Sequence, residues 1–152
     1  MVTVEAGTTI ERSNVDPSCI IRKHNVIYDA TIGRNTKVGS HCTIGGASIG
    51  ANCKIEDHAF IPPGVTLEDN VFIGPHVCFT NDKYPDASPR TWTQRETVVK
   101  QGASIGANAT ILSGITIGER SMIGAGSVVT NNVAPDMVVY GDGAEPRGKR
   151  TK

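Results

Sequence analysis

The stretch Ile105-Gly-Ala-Asn-Ala-Thr-Ile-Leu-Ser-Gly-Ile-Thr-Ile-Gly-Glu-Arg-Ser-Met-Ile-Gly-Ala-Gly-Ser-Val-Val129 puts an aliphatic residue at every sixth position: Ile105, Ile111, Ile117, Ile123 and Val129. Working upstream, Val99 belongs to the same run. A second run holds Ile49, Ile55, Ile61, Leu67, Ile73 and Phe79, and a first run, one residue out of step, holds Ile20, Val26, Ile32, Val38 and Ile44. A fixed short period through most of a chain is the mark of a repeat architecture. A period of six is neither the three-and-four spacing of an amphipathic helix nor the roughly 8–12-residue spacing of sandwich strands.

Two other positions keep time with these anchors. Two residues before them stand compact side chains, among them Ala30, Thr36, Cys42, Ala47, Cys53, Ala59, Ala103, Ala109, Ser121 and Ser127. Directly after many of them stands glycine, as at Gly33, Gly39, Gly74, Gly106 and Gly118. The pattern describes a coil with three flat sides. Each side is a short strand with its anchor inward, the narrow interior demands a small second residue, and the glycines are expected to make the corner turns. Three sides of six residues predict an all-β parallel helix of five to six coils, stacked about 4.8 Å apart. Residues 1–152 read as one such domain, with a tail from about 140 to 152.

Composition narrows the function. Fifteen basic and fifteen acidic residues balance, which gives no support to a nucleic-acid or anionic-membrane surface. Aromatic content of 5% means that small and β-branched residues fill the core. No leader-like basic-then-apolar pattern or membrane-length apolar run is present, so a cytoplasmic location is expected. Cys19, Cys42, Cys53 and Cys78 lack CxxC spacing and read as reduced residues in or near the core.

The register breaks once, between Phe79 and Val99, across a loop at about 80–98 that holds the chain's single tryptophan. A long excursion from a rigid scaffold is where binding and chemistry concentrate. His41, His58 and His76 each lie three residues before an anchor, and those anchors are three sides apart. They are therefore expected in one column on one corner, with Asn108 continuing it and the loop leaving from the same face. The column reads either as a border of a catalytic cleft, with His58 or His76 as a general base, or as a structural corner. A metal role for it requires convergent imidazoles.

The runs Ile105-Gly-Ala-Asn-Ala-Thr-Ile-Leu and Ile117-Gly-Glu-Arg-Ser-Met-Ile-Gly resemble those of the hexapeptide-repeat acyltransferases. The segment Val71-Phe-Ile-Gly-Pro-His-Val-Cys-Phe-Thr-Asn-Asp-Lys-Tyr-Pro85 is similar to that of the N-acetyltransferases acting on nucleotide-linked 3-amino sugars for bacterial surface polysaccharides (lipopolysaccharide biosynthesis). The resemblance covers roughly Ile20 to Val139. It implies a left-handed winding, a homotrimer with sites between subunits, acetyl-CoA as cosubstrate and a nucleotide-linked amino sugar as acceptor, with no metal. It makes Asn81 the catalytic candidate, and it lays the coenzyme's arm along the C-terminal coils beside Ala103, Ala109, Ser121 and Ala125. The chain departs from that family at Asn131, where a lysine is usual, and at Gly141-Asp-Gly-Ala-Glu-Pro, where Gly-Asn-Pro-Ala is usual. Arg147, Lys149 and Arg150 are available in the tail to meet phosphate, although an unordered basic tail is the plainer reading.

Because the loop has no histidine, Asn81 is expected to orient an amine that arrives neutral, with a backbone N–H of the adjoining coils stabilising the oxyanion. Chemistry alone suggests Asp82, Arg90, Trp92 and Arg95 for the acceptor: arginines for a diphosphate, the indole for a base. The other readings are an O- or N-acyltransferase for another small acceptor, a non-catalytic scaffold, and a metal site like that of the γ-carbonic anhydrases.

Overall fold

The computed structural model describes residues 1–87, 92–143 and 145–149. All regular structure among them is strand, in segments of two to five residues. The strands form three sheets, here called faces A, B and C. Face A runs from Thr3–Val4 and Ile20–Ile21 down to Met122–Ile123 and Met137–Tyr140. Face B runs from Thr9–Glu11 to Val128–Val129, and face C from Asn14–Val15 to Thr116–Ile117. Every pairing is parallel until the end, where Glu145–Lys149 turns back antiparallel on Met137–Tyr140. The tail is thus a closing strand, rather than the unordered segment its composition suggested; Arg150 lies outside the described residues.

Face A holds eight parallel strands, so the solenoid is longer than five to six coils. The repeat count missed a coil at each end. Thr3–Val4, Ile10 and Val15 begin one upstream, while Val133 and Val139 continue the core downstream. The anchors of the first coil also shift by one. Ile21 and Ile27 are fully buried, whereas Val26 is 48% exposed and Ile20 is half-buried. Each of these anchors belongs to a β-branched pair, and only the inner member has a compact buried residue two places before it, Cys19 or Asn25.

Asn25 is fully buried yet saturated. Its Nδ2 donates to the carbonyls of Arg22 (2.9 Å) and Gly39 (2.8 Å), and its Oδ1 accepts from the Cys42 N–H (2.7 Å). One side chain thereby ties together two successive coils of backbone, and it avoids the desolvation cost of an unpaired buried amide.

The glycines after the anchors do not make the corners. Corner residues with positive φ come two places later and are mostly His or Asn: His41 (59°), His58 (62°), Asn52 (56°) and Asn70 (60°). His and Asn are among the residues that tolerate this region best. Gly106 and Gly118 instead lie under the next coil. A Cβ on Gly106 would stand 2.6 Å from the Ala125 nitrogen, and one on Gly118 would stand 2.4 Å from the Pro135 nitrogen. Those glycines set how closely consecutive coils approach.

The long loop leaves face B after Cys78–Phe79 and re-enters at Thr97–Val99 on face C. It therefore springs from the B–C corner. The histidines occupy the A–B corner, so the expectation that loop and histidine column share one origin is corrected: they flank opposite edges of face B.

Candidate active site

Four histidines, rather than three, stack down the A–B corner. Ring centroids are 5.0 Å apart from His24 to His41, 5.0 Å from His41 to His58 and 4.6 Å from His58 to His76. The one-residue shift of the first anchors hid His24, which precedes Ile27 by three. All four are exposed and all have positive φ, and Asn108 continues the column at φ 58°. The lower pairs are nearly parallel, at 5° and 4°. Rings piled like this do not converge on a point. Among the described residues, no group of three or more His, Cys, Asp or Glu is placed to hold a metal ion.

At the B–C corner the loop is pinned at both ends. Thr80 Oγ1 accepts from the Ser113 N–H (3.1 Å), and Thr97 Oγ1 accepts from the Gly114 N–H (3.0 Å). Both contacts reach the coil below, so the loop's origin and return are fixed relative to the C-terminal coils. Within the loop, Trp92 Nε1 donates to the Asn81 carbonyl (3.0 Å), which brings two sequence-predicted residues together. Asp82 Oδ1 accepts from the Tyr84 N–H (2.9 Å), a local turn that shapes the Asn81-Asp82-Lys83 segment. The Asn81 side-chain amide has no hydrogen-bond partner among the described residues.

Between loop and coils lies a polar cleft of about 240 Å³, lined among others by Asp82, Lys83, Arg95, Ser113, Thr130 and Asn131. Arg95 lies over Gly114, whose missing Cβ would come 3.5 Å from the arginine Cδ. Sequence reasoning missed Ser113, Thr130 and Lys83. The available signal was that Leu112-Ser-Gly114 joins faces B and C one coil below the loop, so its residues must form the loop's floor. Arg90 lies outside the described residues.

Several expected roles change with this geometry. Ala103, Ala109 and Ser121 are fully buried, and Ser121 Oγ donates to the Gly118 carbonyl at 2.7 Å. Their backbone groups are engaged as well: the Ala103 and Ala109 carbonyls accept from the Phe72 and Cys78 N–H groups. They are core residues, closed to a coenzyme arm. Ala125 is exposed, on the turn next to Gly126. The Ser113 and Gly114 N–H groups at the cleft are already taken by the threonines, so they do not serve as oxyanion donors. His58 and His76 do not reach Asn81 within one chain. His76 stands at the A–B corner and Asn81 at the B–C corner, with the strand Cys78–Phe79 of face B between them. A cysteine nucleophile is disfavoured too, since burial pushes the Cys42 thiol up to about 11 and also raises those of Cys53 and Cys78.

The repeat described as bacterial transferase hexapeptide (six repeats) matches residues 46–81 and 96–131, and the hexapeptide repeat of succinyl-transferase matches 30–57. Together they cover more than half of the chain and meet on either side of the loop. The chain belongs to the hexapeptide-repeat transferase family. Among relatives, it is 52% identical over 52 residues to a dTDP-3-amino-3,6-dideoxy-alpha-D-galactopyranose 3-N-acetyltransferase of Aneurinibacillus thermoaerophilus, spanning 34% of this chain and 27% of that one. It is 28% identical to the bifunctional protein GlmU of Desulfitobacterium hafniense across 80% of this chain and 33% of that one. The chain thus spans about a third or less of the length of these relatives. In fold it matches an N-acyltransferase from Bacillus cereus, solved with dTDP-4-amino-4,6-dideoxyglucose and coenzyme A. The TM-score is 0.82 at 20% identity, over 93% of this chain and 85% of that one. Within this hexapeptide-repeat family, the excursion at the B–C corner and its cleft are the features the shared repeats do not dictate.

Proposed function

We propose that the protein transfers an acetyl group from acetyl-CoA to the amine of a nucleotide-diphosphate-linked amino sugar, in the cytoplasm, for surface polysaccharide biosynthesis. The observation that carries this reading is the 52% identity to an enzyme named for that reaction. The loop and its polar cleft supply a place for it.

Acetyl-CoA brings the activated thioester, and the chain's residues need only position and stabilise. A neutral amine is already a nucleophile, so holding it against the acyl carbon provides much of the rate. The unengaged Asn81 amide has both halves of the required chemistry. Its Oδ1 accepts from the attacking amine and fixes the lone pair's direction, while its Nδ2 donates to the oxygen that gains charge. In the balanced reaction the amine N–C bond forms, the C–S bond breaks, and the amine's proton ends on the departing thiolate directly or through water.

The homotrimer belongs to this proposal. Histidine corner and loop lie on opposite edges of face B, so neighbouring copies packed side by side would set one subunit's A–B corner, with His58, His76 and Ala125, toward another's loop. His58 or His76 then becomes available as the proton acceptor.

Incubation with acetyl-CoA and a panel of acceptors, followed by free-thiol release, tests the reading. Release is expected with amino-sugar nucleotides at rates at least tenfold above those with hydroxyl acceptors or free amino sugars. Equal or faster release with hydroxyl acceptors would favour an O-acyltransferase, and no release with any acceptor would leave a binding scaffold.

A further inference from the structure

The cleft at the B–C corner has a chemical character of its own. Its loop side brings two cations, Lys83 and Arg95, against one acid, Asp82. Asp82 already accepts from the Tyr84 N–H through Oδ1. Lys83 Nζ lies over the Tyr84 ring at 5.8 Å, and Arg95 has neither an ion pair nor a hydrogen bond among the described residues. Three other arginines are held by carboxylates, Arg12 by Asp29 at 2.7 Å, Arg22 by Glu5 at 2.7 Å and Arg120 by Asp136 at 2.7 Å, whereas Arg34, which lines no part of the cleft, is not, among the described residues. Arg95 shares its lack of a carboxylate partner with Arg34, and what sets it apart is its place in the lining of a cleft.

Beneath it, Ser113 is 7% exposed, and its Oγ is buried with no hydrogen-bond partner. Buried hydroxyls are ordinarily satisfied, because leaving one unpaired costs the desolvation of the group. The C-terminal wall adds only uncharged groups, Thr130 and Asn131, which themselves meet through Asn131 Nδ2 and Thr130 Oγ1 at 3.2 Å. Cations on one side, a hydroxyl below and amide and hydroxyl groups opposite make a set that recognises a phosphate.

We propose that this cleft is a phosphate-recognition site whose charge comes from the loop, through Arg95 and Lys83, and whose floor and far wall come from the C-terminal coils, through Ser113, Thr130 and Asn131. The inference rests on the acetyl-transfer reading only for the ligands' names, since acetyl-CoA and a nucleotide-linked sugar both carry phosphate. Arg95 thereby moves from a general acceptor contact to one phosphate in a defined place.

The test reads binding without turnover. Trp92 is the chain's single tryptophan, and its indole is tied to Asn81, so its fluorescence reports on the loop. Coenzyme A, 3′-dephospho-coenzyme A, dTDP and inorganic pyrophosphate are titrated against the intact protein and against Arg95→Gln and Arg95→Gln/Lys83→Gln. At least one probe should change the emission saturably, and Arg95→Gln should weaken it on the order of tenfold, with the double variant weaker still. Loss confined to coenzyme A, with dephospho-coenzyme A unaffected, assigns the site to the coenzyme's 3′-phosphate; loss with dTDP assigns it to the acceptor. Silence of the wild type toward all four, or equal affinities in wild type and double variant, overturns the proposal. Binding of this kind in a protein that releases no thiol would keep the phosphate site and remove the transferase reading.

Discussion

Asn81→Ala is expected to lower kcat by two to three orders of magnitude while leaving the KM for acetyl-CoA within about threefold. The asymmetry follows from where Asn81 sits. Its carbonyl anchors Trp92, a contact that alanine retains, while its side chain is unengaged and is all that the substitution removes. A group that interacts most strongly with the transition state costs kcat when deleted, whereas a uniform binding contact costs KM. Stopped-flow or steady-state thiol release on the variant, with far-ultraviolet circular dichroism to verify the solenoid, provides the measurement. A kcat near that of wild type would remove Asn81 from the chemistry.

Gly106→Ala and Gly126→Ala should differ sharply, although both glycines lie in the C-terminal coils. At Gly106 the new methyl would meet the Ala125 nitrogen at 2.6 Å and the Ile123 oxygen at 2.9 Å, both backbone atoms of the next coil. Neither can swing aside as a side chain would, so two coils must separate. The cost is expected at about 3 kcal/mol or more. At Gly126 nothing lies within 4 Å of the new carbon and only the positive φ of 70° resists it, a penalty of about 1–2 kcal/mol. Urea unfolding of both variants discriminates the two roles. Equal losses would mean that glycine serves turn geometry at both positions.

That contrast also marks how far the sequence could be read. A period of six with compact residues two places before many of the anchors is a physical signature of a narrow three-sided interior, and every anchor it placed from Ile32 to Val129 is buried. It failed at Ile20-Ile21 and Val26-Ile27 because adjacent β-branched residues satisfy the period equally well, and it stopped short of Val133 and Val139, which lie off the six-residue step. Asn25 is the reason the compact-residue rule did not settle the second pair: a buried asparagine looks polar until its three partners are known. The glycines misled for a related reason. A sequence shows that a side chain is absent, but not whether φ or a neighbouring coil requires it.

The site was legible in part. Asn81 was singled out by the family resemblance and Trp92 by the interruption in the register and its chemistry, and the structure joins them. Ser113 was invisible because its environment depends on the loop above it, a contact between residues 33 positions apart in the chain. Ala103, Ala109 and Ser121 were misassigned since small residues suit both a narrow core and a bound arm, and only burial separates the two.

The central claim is that catalysis belongs to the excursion at the B–C corner and not to the repeats that carry it. Replacing residues 80–96 with a copy of Leu112-Ser113-Gly114, which joins the same two faces one coil lower, restores the six-residue step from Phe79 to Val99. The measurement is thiol release by this folded variant with the best amino-sugar nucleotide. The account predicts an unchanged circular dichroism spectrum and a turnover indistinguishable from the uncatalysed rate; a folded variant that still acetylates its acceptor would contradict it.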